Sequence, residues 1–166
     1  MTPMRITEIL SRNARMYGNE IALVERAPES GTRREITWAA FDRRANRFAH
    51  ALAEGGIGPG DTVVQLMMNS LEWLPVYFGI LRTGAWAVPL NFRFTAEEIR
   101  YCADVAEARA VVFGPEFIER IAAIKPALDR TVRRYLYIGP PAGRPAWAES
   151  GDDRLMTGTS APPCIE

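Results

Sequence analysis

The sequence predicts an α/β fold of the doubly wound class: a mostly parallel sheet with helices on both faces, plus a small N-terminal hairpin. Short apolar runs at 62–68, 86–90, 110–113 and 134–138 recur between turn-forming residues, as in strands covered on both sides. Segments with helical spacing separate these runs, an alternation that yields parallel strands joined by crossover helices. Punctuation between elements is clearest at Gly84, where a helix can end in a left-handed residue, and at Thr95 with Glu98 three residues on, a capping box that starts the next helix.

In chain order, the first element is an amphipathic helix around Ile6 to Met16. Ile21-Ala22-Leu23-Val24 and Glu35-Ile36-Thr37 then flank the polar turn Glu29-Ser30-Gly31-Thr32, which predicts a hairpin. Thr37 can N-cap a helix to about Glu54, with Phe41, Ala45, Phe48 and Leu52 as one buried stripe and Arg43, Arg47, His50 and Glu54 opposite. The glycine-rich turn from Gly55 to Asp61 leads into the strand 62–68. Asn69 or Ser70 can cap the next helix, Leu71 to Thr83, which is apolar nearly all round and so predicts burial, with Pro75 costing a hydrogen bond or bending its first turns. Trp86 to Leu90 reads as a short buried strand in which Pro89, lacking an N–H, suits the end. A helix from Thr95 to about Asp104, the strand Ala110 to Phe113, a helix carrying Phe117, Ile121 and Ile124, and a strand from Arg134 to Ile138 complete the alternation. From Gly139 onward five prolines and no clear period predict a surface loop or linker, dividing the chain into an α/β unit at 1–138 and a tail at 139–166.

Composition narrows the function classes. At 166 residues the chain is long enough for a sizeable core. Its 20 basic and 20 acidic residues cancel, so no overall field points to nucleic acid or an anionic membrane. Cys102 and Cys164 form no metal-like spacing and fit a reducing compartment, and the N-terminus lacks the apolar core of a signal peptide; cytoplasm is the expectation. No apolar run approaches the roughly 20 residues of a membrane span.

Four motifs together resemble the adenylate-forming (AMP-dependent synthetase/ligase) enzymes, in the acyl-CoA synthetase branch. They are Ile36-Thr37-Trp38-Ala39-Ala40-Phe41-Asp42 with Arg44-Ala45-Asn46-Arg47, then Gly58-Pro59-Gly60-Asp61, then Asn69-Ser70-Leu71-Glu72, and above all Gly84 through Glu98. The resemblance covers roughly Ile6 to Ile138. An acidic residue usual at Ala40 and a proline usual at Leu71 are missing here, which concerns helix ends more than chemistry.

The resemblance implies ATP-dependent activation of a carboxylic acid, aliphatic or aromatic: the carboxylate displaces pyrophosphate from ATP, and the CoA thiol then displaces AMP from the acyl-adenylate. It implies ATP, Mg²⁺ and CoA for the parent enzyme, none of them bound strongly by this chain. The phosphate loop and catalytic lysine of the family are expected beyond Glu166, so the chain is expected to be incomplete relative to the family's large N-terminal domain and inactive by itself. Arg93 is the one candidate site residue. It follows the strand ending at Leu90, where doubly wound sheets place ligands, and matches an arginine that contacts the nucleotide phosphates of CoA in similar aryl-CoA ligases.

Other motifs have simpler readings. Thr157-Gly158-Thr159-Ser160 has no strand before it and no lysine after it, and reads as loop. Gly56-x-Gly58-x-Gly60 follows a helix and precedes a strand, the reverse of a dinucleotide fingerprint, and reads as a turn. His50, the single histidine, reads as a solvated side chain rather than a base. The alternatives to a ligase segment are a non-catalytic binding or assembly module derived from such an enzyme, or an unrelated flavodoxin-like nucleotide binder. An exposed sheet edge leaves room for a homo-oligomer.

Overall fold

The computed structural model describes residues 5–28 and 30–163. Helix α1 (Ile6–Met16) precedes the strands β1 (Ile21–Ala27) and β2 (Thr32–Thr37), which pair antiparallel as the predicted hairpin. There follow α2 (Trp38–Glu54), β3 (Thr62–Leu66), α3 (Trp73–Arg82), β4 (Trp86–Pro89), α4 (Ala96–Val105), β5 (Ala110–Phe113), α5 (Ile118–Leu128), β6 (Arg134–Tyr137), β7 (Glu149–Ser150) and α6 (Gly151–Met156). The last five strands form one parallel sheet in the order β4-β3-β5-β6-β7. From β3 the chain steps out to β4, then crosses back to β5 on the other side of β3.

Two-residue alternation along the strands divides the core between the two faces of the sheet. Val64, Leu66, Val111, Phe113, Tyr135 and Tyr137 face α4 and α5, where Ile99, Ile121 and Leu128 meet them. Val63, Ala110, Val112 and Leu136 face the other way, onto Phe48, Leu52, Val76 and Ile80 of α2 and α3. A third cluster, Leu10, Ile36, Phe41, Ala45 and Leu71, seats the hairpin and α1 against α2. The stripe predicted for α2 is therefore buried, and it serves two clusters.

Helices α2 and α3 pack at backbone distance. A Cβ at Gly79 would lie 2.9 Å from Phe48 Cβ and 3.0 Å from the Ala45 carbonyl oxygen, so no other residue fits there without displacement. Beside this contact Arg82, 5% exposed, ends α3 with its guanidinium buried. Its Nη2 meets Asp42 Oδ1 at 2.6 Å, Ser11 Oγ at 2.8 Å and the Thr7 carbonyl at 3.3 Å; its Nη1 meets Asn46 Oδ1 at 2.6 Å and the Asp42 carbonyl at 3.1 Å. Two residues on, Gly84 takes φ +81, and a Cβ there would stand 2.9 Å from Pro59 Cγ, so conformation and space both require glycine.

Several boundaries differ from the sequence reading. The strand 62–68 ends at Leu66, and Met67 and Met68 leave the ladder. Helix α3 begins at Trp73 rather than Leu71, after a turn in which Ser70 Oγ accepts from Glu72 N–H at 3.3 Å. Pro75 thereby falls in the first turn, where N–H groups have no intrahelical partner, and breaks nothing. Strand β4 is an edge strand and not a buried one: Trp86 is 68% exposed. The Pro-rich stretch expected as loop or linker carries a 3₁₀ turn (Pro141–Gly143), then β7 and α6, whose Leu155 is buried in the core. Arg134 secures this addition. Its Nε and Nη2 grip both oxygens of Glu149 at 2.8 and 2.7 Å, while Nη1 donates to the Ala51 and Leu52 carbonyls at the end of α2 at 2.8 and 3.3 Å.

Asp42→Ala would leave the buried Arg82 cation without its carboxylate. Urea unfolding should show a loss of about 3 kcal/mol, the scale of breaking a buried ion pair. A loss below about 0.5 kcal/mol, typical of neutral surface substitutions, would mean that water reaches the pair.

Candidate functional site at the carboxyl edge of the sheet

The reversal between β3 and β5 opens a crevice beyond the carboxyl ends of the strands, the position where open α/β sheets bind ligands. The cavity there is about 580 Å³. Met67 to Ser70 after β3, Gly114 to Glu116 after β5 and Ile138 to Pro141 after β6 form its floor; α6 supplies one wall, and the hairpin with Arg44 of α2 the other.

Charge in the cleft is mostly negative. Glu25, Glu72, Glu116 and Asp152 line it against Arg34 and Arg44. The guanidinium of Arg34 already bridges Glu72 at 2.5 Å and Glu25 at 3.5 Å, and Arg44 stands 4.0 Å from Glu72. Glu25 also accepts the Leu71 N–H at 2.8 Å, pinning the hairpin to the start of α3. Asp152 Oδ2 accepts the Gly139 N–H at 2.6 Å. Burial raises the pKa of Asp152, and the neighbouring charges of Glu72 and Asp153 add to the effect, against the opposing pull of Gly139 N–H and Arg34. Behind the wall, the hydroxyl of Tyr137 is buried without a hydrogen-bond partner among the described residues, and burial together with the charges of Asp152 and Glu116 raises its pKa.

Arg93 lies elsewhere. It sits in the loop after the edge strand β4, outside the cleft lining, with its N–H held by Asn91 Oδ1 at 2.9 Å. The side chain is exposed, stacks 5.4 Å over the Phe92 ring, and has no carboxylate partner among the described residues. An uncommitted guanidinium of this kind suits an anionic group arriving from solvent.

The remaining motifs take structural places. Thr157 to Ser160 follows α6 and runs along α2, where Asn46 Nδ2 donates to the Ser160 carbonyl at 2.8 Å. The run offers α2 a carbonyl. His50 is half-buried rather than solvated, with Nε2 2.9 Å from the Ala161 carbonyl oxygen. The glycines at 56, 58 and 60 form the α2–β3 turn, Gly56 and Gly60 with positive φ. Lys125 is committed to Asp129 at 2.8 Å and lies 4.8 Å above the Tyr135 ring. Cys102 is a free thiol, half-buried; Cys164 lies outside the described residues. No three metal-ligating side chains converge among the described residues, and no helix there is long and apolar enough to cross a membrane. Of the cleft residues, Arg44 falls in a motif that carries the resemblance but with no role attached, while Arg34 and Asp152 escaped the sequence reading, because they come from the hairpin and α6 and share no local motif.

Strand order and cleft place the chain in the doubly wound α/β class, with an N-terminal hairpin attached. It belongs to the AMP-binding enzyme family, whose profile matches residues 10–163. Long-chain-fatty-acid–CoA ligase FadD13 of Mycobacterium tuberculosis is 31% identical over 140 residues, covering 83% of this chain and 26% of that protein. The 3-hydroxybenzoate–CoA/4-hydroxybenzoate–CoA ligase of Thauera aromatica is 35% identical over 97 residues, 58% of this chain and 18% of the relative. The inhibitor-bound crystal structure of the N-terminal domain of FACL13 from Mycobacterium tuberculosis superposes with a TM-score of 0.82 at 30% identity, covering 99% of this chain and 38% of that one. The chain thus spans about a quarter of the length of FadD13.

Asp152 gives a test of the cleft's electrostatics. Its folded-state pKa exceeds the ordinary 3.8, so the folded state holds the proton more tightly than the unfolded state does. Stability is therefore lost as pH rises from 3.8 through the folded value. Asp152→Asn keeps an acceptor for Gly139 N–H and removes this loss. In urea titrations, the variant should gain on the parent between pH 3 and pH 7; a difference that stays flat with pH would contradict the burial.

Proposed function

We propose that the chain is the N-terminal part of an ATP-dependent acyl-CoA ligase, which converts a carboxylic acid, ATP and CoA into acyl-CoA, AMP and pyrophosphate through an acyl-adenylate. The likeness to FadD13 over 83% of the chain carries this reading. Relatives act on acids as different as long-chain fatty acids and hydroxybenzoates, so the acid is left at the level of its carboxylate.

In this reading the segment contributes a scaffold and one contact to CoA. In this reading ATP with Mg²⁺ is held elsewhere: Lys125 is committed to Asp129, and the cleft's own arginines, Arg34 and Arg44, already face Glu72. Nucleotide activation therefore falls to other parts of the ligase. CoA is a different case. Arg93 is exposed, free of carboxylates and held on an ordered loop, which suits a guanidinium that meets the nucleotide phosphates of CoA.

Two measurements test this. The purified 166-residue chain should catalyse no carboxylate-dependent ATP–pyrophosphate exchange, and exchange by the chain alone would refute the assignment of activation to other segments. In the complete ligase, Arg93→Ala should raise KM for CoA about tenfold, the worth of one charge-assisted contact, and leave pyrophosphate exchange intact. Unchanged CoA dependence would remove Arg93 from the site.

A further inference from the structure

The loop that carries Arg93 has no regular secondary structure between β4 and α4, yet its backbone is held at several points. Asn91 Oδ1 takes the Arg93 N–H at 2.9 Å. Phe94 packs against the core beneath α4 and α5. Thr95 and Glu98 close the capping box, Thr95 N–H donating to Glu98 Oε2 at 2.7 Å and Glu98 N–H to Thr95 Oγ1 at 3.3 Å. One further hold comes from a distant part of the chain. Arg120, in the first turn of α5, donates from Nη1 to the carbonyls of Phe92 at 2.8 Å and Phe94 at 3.1 Å, the residues on either side of Arg93.

We propose that Arg120 is a positioning residue for CoA recognition: it clamps the two carbonyls flanking Arg93 and so presents that guanidinium to the phosphates of CoA. This rests on the role given to Arg93 above. Three features suit Arg120 to the task. Its donor is charged, and hydrogen bonds from a charged donor are about twice as strong as neutral ones. Its guanidinium stacks 5.4 Å over the ring of Phe117, which is fully packed in the core, so the clamp is anchored to a rigid element rather than to another loop. It has no carboxylate partner among the described residues, so its charge adds to that of Arg93 rather than cancelling it.

A loop fixed before binding does not lose conformational freedom when the ligand arrives, which raises affinity without a new contact. Arg120 therefore touches neither the reacting atoms nor, by this proposal, CoA itself. Its effect is on how often Arg93 stands in the productive arrangement, with its unpaired charge adding to the local positive field. Lysine at this position would keep the charge and N–H donors but replace the broad guanidinium over Phe117 with a compact ammonium.

The test uses Arg120→Met, which keeps an apolar stem over Phe117, Arg120→Lys, and Arg93→Ala. Amide exchange is followed by NMR on the 166-residue chain, and steady-state kinetics on the ligase that contains it. Arg120→Met should speed exchange of the Arg93 N–H by at least about tenfold, while core amides of β3 and β5 stay protected; it should raise KM for CoA about fivefold and leave pyrophosphate exchange and KM for ATP unchanged. Arg120→Lys should recover part of both effects. Arg93→Ala should raise KM for CoA without speeding exchange in the loop. If Arg120→Met leaves loop exchange and KM for CoA at parental values while Arg93→Ala still raises KM, the clamp is refuted and the role of Arg93 stands. If Arg93→Ala changes nothing, the role of Arg93 fails and the proposal with it. A uniform loss of protection across the sheet in Arg120→Met would make Arg120 a stability residue and likewise overturn positioning.

Discussion

The buried guanidinium of Arg82 is the point on which the arrangement of helices depends. A cation withdrawn from water is tolerated only where its N–H groups meet oxygens and a carboxylate balances its charge. Meeting those conditions draws Thr7 and Ser11 of α1 and Asp42 and Asn46 of α2 to the end of α3. The geometry is directional, which apolar contact is not, so it fixes the azimuth at which α1 and α2 sit. Gly79 then lets α2 and α3 close to backbone distance, and the apolar face of that pair covers one side of the sheet. Asn46 continues the network outward to the Ser160 carbonyl, so the end of the described chain is tied to the same place.

Arg134 repeats the principle at the other margin. β7 is only two residues long, too short to hold its place by ladder hydrogen bonds alone. The paired hydrogen bonds from Arg134 lower the pKa of Glu149, and the third nitrogen of the same side chain donates to the Ala51 and Leu52 carbonyls in the last turn of α2. The wall of the cleft, α6, thus stands where it does because one arginine satisfies two elements. Both arginines join parts of the chain far apart in sequence, and both do so with donors rather than with apolar surface.

This distinction decides what the sequence revealed. Helix α1 and strand β5 were legible to the residue, because apolar spacing and flanking turn signals report local structure. The capping box at Thr95 was legible for the same reason. Strand β7 and α6 were not: a two-residue strand has no period, and its attachment depends on Arg134, fifteen residues before Glu149. The edge position of β4 also escaped notice, since Trp86 to Leu90 is as apolar as a central strand and strand order is not written in any one strand; Pro89 was the available hint. Arg93, proposed above to meet CoA, was reachable by resemblance, whereas Arg120, which holds the carbonyls on either side of it, sits on another helix and in isolation reads as one more surface cation.

Pro89 also sets the direction in which the sheet can grow. Trp86 and Leu90 donate inward, to the Asp61 and Gln65 carbonyls at 2.8 and 2.9 Å, so by alternation Ala87 and Pro89 turn their backbones outward. Proline has no hydrogen to offer there, and Ala87 is left as the one outward N–H donor in β4. A passing strand would find a single donor where a regular edge supplies two.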